Sequence, residues 1–197
     1  MSSIIKVDTI QNQSGANIIS ESANTITVGA SGDTVTIPSG ATLSSSGTVS
    51  GNLANTPSFE AHMSANQSLS NDSWTKVQLA NEIFDTNSAF DSTTNYRFTV
   101  PTGLGGKYLF HYGAQIADIN DTKRGAARFY KNGAGYNFGR NNNYSSSVGA
   151  ALYCTGSAII SMNAGDYLEL YVYQNNGDAQ AVYSAATFLS GSRIIGA

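Results

Sequence analysis

The sequence predicts an all-β chain in two unequal parts, and three observations carry that prediction. Apolar and polar residues alternate over run after run, with no stretch of helical period. Gly, Asn, Asp and Ser interrupt the runs at about ten-residue spacing, the rhythm of sandwiches and barrels. Aromatic residues occupy one part only: none precedes Phe59, and all 20 (8 Phe, 11 Tyr, 1 Trp) follow it or include it.

Residues 1–57 form the first part, with Lys6, Asp8, Glu21 and Asp33 as its only charges. In "NTITVGASGDTVTIPSGATLSSSGTVSG" the alternating pairs Ile26/Val28 and Val35/Ile37 lead on to Leu43 and Val49, with small-residue turns between them. A single chain cannot cover so narrow an apolar stripe, because a strand needs partners for its edges and its face. Three chains around a common axis would cover it. This part is therefore expected to be an extended, β-rich stalk arm that takes its structure on trimerisation. A disordered Ser/Gly/Thr spacer is the other reading of the same composition.

Residues 58–197 form the second part, long enough to bury a core, since about 150 residues hide roughly 70% of their unfolded surface. Its strands read in order as "SFEAHMSA", "TKVQLANEIF", "NYRFTV", "GKYLFHYGAQI", "AARFYKNG", "GAALYCTGSAIISM", "DYLELYVYQNNGD" and "AVYSAATFLSGSRIIG". "YKNGAG" and "YQNNGDA" read as tight hairpin connections, because Asn-Gly and Gly-Asp tolerate positive φ. Tyr108, Phe110 and Tyr112 share one strand face, and Leu168, Leu170 and Val172 share another. Tyrosine suits a covered face of this kind, because its ring is apolar and its hydroxyl keeps a partner.

Composition narrows the function. Charged residues are 12% of the chain, against about 25% in ordinary domains. A net charge of −3 argues against nucleic acid or an anionic membrane as partner. The single Cys154 forms no intrachain disulfide and sits in an apolar run, as a buried thiol does. "MSSIIKVDTIQ" lacks the apolar core of a secretory signal, and no run has the ~18 apolar residues of a membrane span, so cytoplasmic synthesis is expected.

Chemistry-bearing motifs are weak. Gly103, Gly105 and Gly106 make a Gly-x-Gly-Gly run, but a phosphate cradle opens a helix and "KYLFHYG" alternates instead. "DINDTKRG" starts like a calcium loop, yet Lys123 stands at its sixth place and Phe129 at its twelfth. His62 and His111 are solitary, and one Cys supplies no zinc set. No nucleophile elbow is present. Although carboxylate pairs could serve a glycosidase, ten acids scattered over the second part make chance proximity cheap, and no cleft-forming insertion appears. The expectation is a protein without catalytic residues, cofactor or metal. A surface-polysaccharide depolymerase is the enzymatic alternative.

"AFDSTTNYRFTVPTGLGGKYLFHYG" resembles the signature of the globular head of the complement first-component q family, a tumour-necrosis-factor-like jelly roll. Phe90-Asp91, Phe98-Thr99, Pro101, Gly106, Tyr108 and Phe110 occupy the family's places. "RFYKNG", "MNAGDYLELYVY" and "FLSGSRIIG" are similar to its later strands, the last with Phe188 and Gly191 one residue further apart. The resemblance covers residues 58–197 and implies a ten-stranded-type jelly-roll sandwich that assembles as a homotrimer, with Tyr108, Phe110, Tyr112, Leu168, Leu170, Val172 and Phe188 filling the sandwich or the three-fold interface. No collagen repeat is present, so residues 1–57 would align the chains. "IIKVDTIQNQSGANII", followed by a Ser/Thr/Gly arm, resembles the opening of virion fibre proteins of marine bacteriophages. That implies a virion location, attachment to other virion structural proteins through the arm, and a head for host adhesion. A purely architectural, trimerising cap is the alternative.

Strand counting places the candidate ligand site. "GKYLFHYGAQI", "ARFYKN", "GYNFGR", "GAALYCTGSAIISM", "DYLELYVYQ" and "AVYSAATFLSG" are taken as successive antiparallel strands. Turns near 131–135 and 163–165 then share the end where the chain finishes. Loops at 118–124, 140–147 and 174–180 share the other end, which in the resembled family is the tip. These loops carry Asp121, Lys123 and Arg124, then Arg140, Asn141, Asn142, Asn143 and Tyr144, then Asn175, Asn176 and Asp178. Asn and Arg beside Tyr suit sugar hydroxyls, so a host-surface glycan or protein is the expected ligand.

Overall fold

The computed structural model of the chain describes residues 9–15, 17–23, 25–29, 31–44, 46–47 and 55–194. It divides into two compact units, Met1–Thr48 and Val49–Ala197.

The first unit holds a three-stranded antiparallel sheet of β1 (Thr9–Gln11), β2 (Asn17–Ser22) and β3 (Thr25–Val28), with β2 in the centre. The alternating Ile26/Val28 run is thus a strand. The Val35/Ile37 run and Leu43 are not: residues 33–38 and 41–44 carry no strand, because no neighbouring segment pairs with them. Val49 lies outside the described residues. Part of the arm expected to take its structure on trimerisation is thus strand in one chain, at Thr9–Gln11, Asn17–Ser22 and Thr25–Val28. Its apolar side chains are uncovered: Ile26 is 69% exposed, Val35 60% and Leu43 70%.

The second unit contains β4 (Ser58–His62), β5 (Gln67–Leu69), β6 (Thr75–Lys76), β7 (Asn81–Asp85), β8 (Phe90–Asp91), β9 (Arg97–Thr99), β10 (Gly106–Ile119), β11 (Arg124–Lys131), β12 (Ala134–Gly135), β13 (Asn141–Tyr144), β14 (Ala150–Met162), β15 (Tyr167–Gln174) and β16 (Gln180–Arg193). Its first sheet runs β14-β10-β16-β4-β7, with β5 on β16. Its second runs β12-β11-β15-β9-β8, with β13 on β11 and β6 on β15. No helix occurs among the described residues.

The two sheets close on a core of rings. Phe59 stacks on Phe90 and Phe98, with centroids 5.0 and 4.8 Å apart, and Phe98 meets Phe110 edge-on at 5.6 Å. Tyr112 lies edge-on to Phe129, and its hydroxyl is 2.8 Å from the carbonyls of both Ala127 and Gly139. Burial pushes that phenol's pKa well up. Burying a large side chain of this kind stabilises by about 1.5–3 kcal/mol. Tyr108, Phe110, Tyr112, Leu168, Leu170 and Val172 are all fully buried in this core, so of their two expected places they fill the sandwich.

Phe188 does not join them. On β16 the buried positions pass from Val182 to Leu189, an odd interval, so the strand changes faces between them. The register with β10 shows where: Gly113 pairs with Phe188, but Gln115 pairs with Tyr183. Extra residues on one strand flip every later side chain. Phe188 therefore lies on the outer face, over Gly113, where a Cβ would sit 2.6 Å from its ring.

Two further expectations need correction. "GYNFGR" is not a strand: only Gly135 pairs, in β12, and Gly139 turns the chain at φ +77. Asn141–Tyr144, read as loop, is β13, paired with β11 from Ala127 to Arg124. Gly106 opens β10, so the Gly-x-Gly-Gly run leads into a strand and not a helix.

Candidate binding surfaces

The loops at one end of the sandwich gather through backbone bonds. Thr122 N donates to Ser145 O (2.9 Å), and Ser145 N donates to Lys123 O (2.8 Å). Asn120 N donates to Asn176 Oδ1 (2.7 Å), and Arg124 N donates to Asn175 Oδ1 (2.6 Å). The turns at 131–133 and 163–166 meet at the other end, where Asn132 Nδ2 donates to Asp166 Oδ1 (2.8 Å). There Arg193 N also donates to Pro57 O (3.1 Å).

Several of the eleven candidate ligand residues in these loops hold the fold itself. The Asn141 and Asn143 amides donate to the Thr155 and Tyr153 carbonyls of β14, lacing one sheet to the other. Asn176 is buried, and its amide donates to Asp178 Oδ1 (2.8 Å), which with Gln180 holds that carboxyl below its usual pKa. Asp121, Arg140, Asn142, Tyr144 and Asp178 are exposed, while Lys123 and Arg124 are half-buried. Arg140 Nη2 donates to Asn142 Oδ1 (3.0 Å).

The outer face of the first sheet is apolar. It is built from the positions alternating with the core residues, so Leu109 pairs across to Ile159 on one side and Ser192 on the other. Leu109 is 44% exposed, Ile159 61%, Tyr153 59% and Phe84 45%. Phe84, Leu109, His111, Glu60, Ser190 and Ser192 line a shallow depression of about 250 Å³. Phe188 lies between His62 and His111, with ring centroids 5.9 and 5.4 Å away. His62 Nε2 is 2.6 Å from Glu60 Oε1. Small serines around these rings leave the face open to close approach. The alternation in "GKYLFHYG" and "YCTGSAIISM" carried this signal, once its inward half was known.

The outer face of the second sheet has opposite chemistry. Arg97 lies over Tyr167 (4.1 Å), Arg124 over Tyr173 (4.3 Å), and Arg128 over both Trp74 (4.2 Å) and Tyr130 (4.8 Å). Arg140 lies 5.6 Å from the same Trp74 ring, and Tyr130 stacks on Tyr171 at 3.7 Å. Lys76 is neutralised by the buried Glu169 (2.7 Å). The Tyr173 hydroxyl donates to Asp72, and that bond, with burial, raises the phenol's pKa. Only Arg124 and Arg140 of this set had been singled out as ligand residues. The others come from segments far apart in sequence, and no local spacing marks them.

The one thiol of the chain lacks the means to react. Burial pushes the Cys154 thiol up to about 12, where it is no nucleophile at neutral pH. Among the described residues, no three His, Cys, Asp or Glu side chains come together as metal ligands would.

No known protein family matches the chain. Over 122 residues, 59% of its length, it is 33% identical to the uncharacterized protein YqcC of Bacillus subtilis (strain 168), of which the match covers 32%. The chain thus spans about a third of that curated relative. Among solved structures it is similar to murine APRIL at pH 5.0, with TM-score 0.52 and 13% identity over 70% of this chain and 98% of that one. Murine APRIL at pH 8.0 gives 0.51 and 14% over the same shares. The globular domain of zebrafish complement 1qA gives 0.48 and 18%, over 70% and 97%. These neighbours are C1q/TNF-like jelly-roll domains, and the all-β sandwich of the second unit has the fold of the APRIL structures.

Proposed function

We propose that the chain is a homotrimeric, fibre-type structural protein. In this reading residues 58–197 are the head, and their first-sheet outer face meets the same face of two further copies. The observation that carries the reading is that face: Leu109, Ile159, Tyr153 and Phe84 stand exposed among serines on a sheet whose other side is a finished core. Lasting interfaces between copies resemble a core cut open, and a single chain leaves this one cut. The arm of residues 1–57 supports the same reading, since Ile10, Ile26, Val28, Val35, Ile37 and Leu43 are uncovered in one chain. Its task is attachment to other structural proteins of a virion, and the head's task is adhesion to a host surface through the tip loops.

Sedimentation equilibrium of the full chain tests the assembly. A trimer at micromolar concentration is the expected result. A monomer there would overturn the reading. Replacing Arg140, Asn142 and Tyr144 together by alanine tests adhesion: the trimer should persist while attachment to host cells weakens. Unchanged attachment would favour the architectural cap.

A further inference from the structure

The geometry points to a second binding surface, the outer face of the second sheet, that takes an acidic polysaccharide. The chain has five arginines, and four of them, Arg97, Arg124, Arg128 and Arg140, lie over the rings of this one face. Among the described residues none of the four has a carboxylate within ion-pair reach, although the nearby Lys76 has one. A protein of net charge −3 has thus gathered four of its five guanidinium groups on one face, none of them in an ion pair among the described residues.

The rings make these cations ready to bind. A guanidinium over an aromatic face is held by the ring quadrupole, so less side-chain freedom is lost when it grips a ligand. Arg128 is the most constrained: Trp74 and Tyr130 flank it, and a Cβ at Gly135 would overlap its guanidinium. Its Nε is buried with no hydrogen-bond partner, and so is that of Arg124. The carboxylates of the face are already engaged. Glu169 accepts from Lys76, Asp72 accepts from Tyr173, and Asp91 accepts from the Thr93, Thr94 and Asn95 backbone.

The chemistry selects the class of ligand. Guanidinium forks match carboxylate and sulfate oxygens in paired hydrogen bonds. The outward positions of β11 and β15 hold Arg124, Ala126, Arg128 and Tyr130, then Tyr167, Glu169, Tyr171 and Tyr173, with no aliphatic side chain larger than alanine. Such a surface offers hydroxyls and ring edges to a hydroxylated polymer, and little to the apolar centre of a protein partner. The ligand class is therefore a sugar chain carrying carboxylate or sulfate groups. This surface needs no trimer, but it shares Arg124 and Arg140 with the loops of the adhesive reading, and with them that reading's class of target.

Affinity electrophoresis of the full chain tests it, in gels containing polygalacturonate, dextran sulfate, neutral dextran or polyglutamate. Retardation by polygalacturonate or dextran sulfate is expected, and which one acts identifies the acidic group. Dextran should not retard the protein, and polyglutamate should do so at least tenfold more weakly. The exposed Arg140→Gln should weaken retardation about threefold or more, and Trp74→Ala about fivefold or more. Lys107→Gln, a matched loss of charge on the other sheet, should not. Circular dichroism checks that each variant is folded, and Arg140→Gln stands as the variant if Trp74→Ala is not. No retardation by either acidic polysaccharide overturns the inference. So does equal retardation by polyglutamate, or equal loss in Lys107→Gln. A trimer that is not retarded would sink this inference alone, and a retarded monomer would sink the assembly alone.

Discussion

The two outer faces of the sandwich are made by the same alternation and differ in almost everything else. The first presents aliphatic and aromatic side chains among serines, with Ile159 at 61% exposure and few charges. The second presents arginines laid on tyrosines and a tryptophan, with no outward aliphatic side chain larger than alanine on β11 and β15. A sheet needs one covered face to fold. What its other face carries is free to serve recognition. Here one outer face suits another copy of itself, and the other suits a wet, charged ligand.

The largest expected effect is one that breaks both faces together. Phe98 is fully buried, stacked on Phe59 and edge-on to Phe110, in the core the two sheets share. Phe98→Ala should cost about 3–5 kcal/mol. Chemical denaturation should show the lost stability, and assembly and polymer binding should fall with it. Survival of either face would mean that the sheets fold independently.

Next, Ile159→Asp should separate the faces. On one chain the new carboxylate is solvated, so the monomer's melting temperature should hold. In the trimer it is buried without a partner, opposing association by about 3 kcal/mol. Sedimentation should show monomers, and each should keep the acidic-polymer site. An intact trimer would move the interface to a different surface.

Gly135→Ala sharpens the other side of the comparison. The added Cβ meets only the end of the Arg128 side chain, so stability should change by less than about 1 kcal/mol. The guanidinium must leave its place between Trp74 and Tyr130, and polymer affinity should fall by roughly threefold. Unchanged affinity would remove Arg128 from the site.

The smallest effect concerns neither face. Bonds from the Asn132 side chain, the Asn163 backbone and Lys131 lower the Asp166 carboxyl to about 2 at the end of the sandwich where Pro57 and Arg193 meet. A lowered folded-state pKa gives stability that is present above the unfolded value near 4 and is lost as pH falls towards 2. Denaturation midpoints should drop less steeply between pH 4 and 2 in Asp166→Asn than in the unaltered chain. Both faces should then weaken in parallel with the fold. An equal slope in the variant would assign the acid sensitivity to other carboxylates.

Much of this was legible in the sequence, because burial on one side of a strand writes period two directly into it. Tyr108, Phe110 and Tyr112 read as one face and form one. The same signal could not decide between the two places expected for Phe188, since the irregular register between Gly113 and Gln115 resets the period and leaves no local mark. The strand β13 was hidden for another reason. "NNNY" has the composition of a loop, and only its pairing with β11 and its side-chain bonds to β14 make it a strand. In the arm the reverse happened: Val35 and Ile37 alternate as a strand should, yet no neighbour pairs with them. The arginine face could not be read as a unit, although Arg124 and Arg140 were picked out from their loops. Its residues come from β6, β9, β11, β15 and the turns before β6 and β13, and only the folded sheet brings them side by side.

The meeting of Pro57 with Arg193 has a practical consequence. The head is entered and left at one point, where β4 and β16 run as neighbours from Ser58 and Ser192. Its chain ends are therefore interchangeable with a tight turn. The whole domain could be spliced into a surface hairpin of an unrelated carrier, or its ends joined by a short linker and new ones opened at Asn132-Gly133, without stretching the backbone on either side.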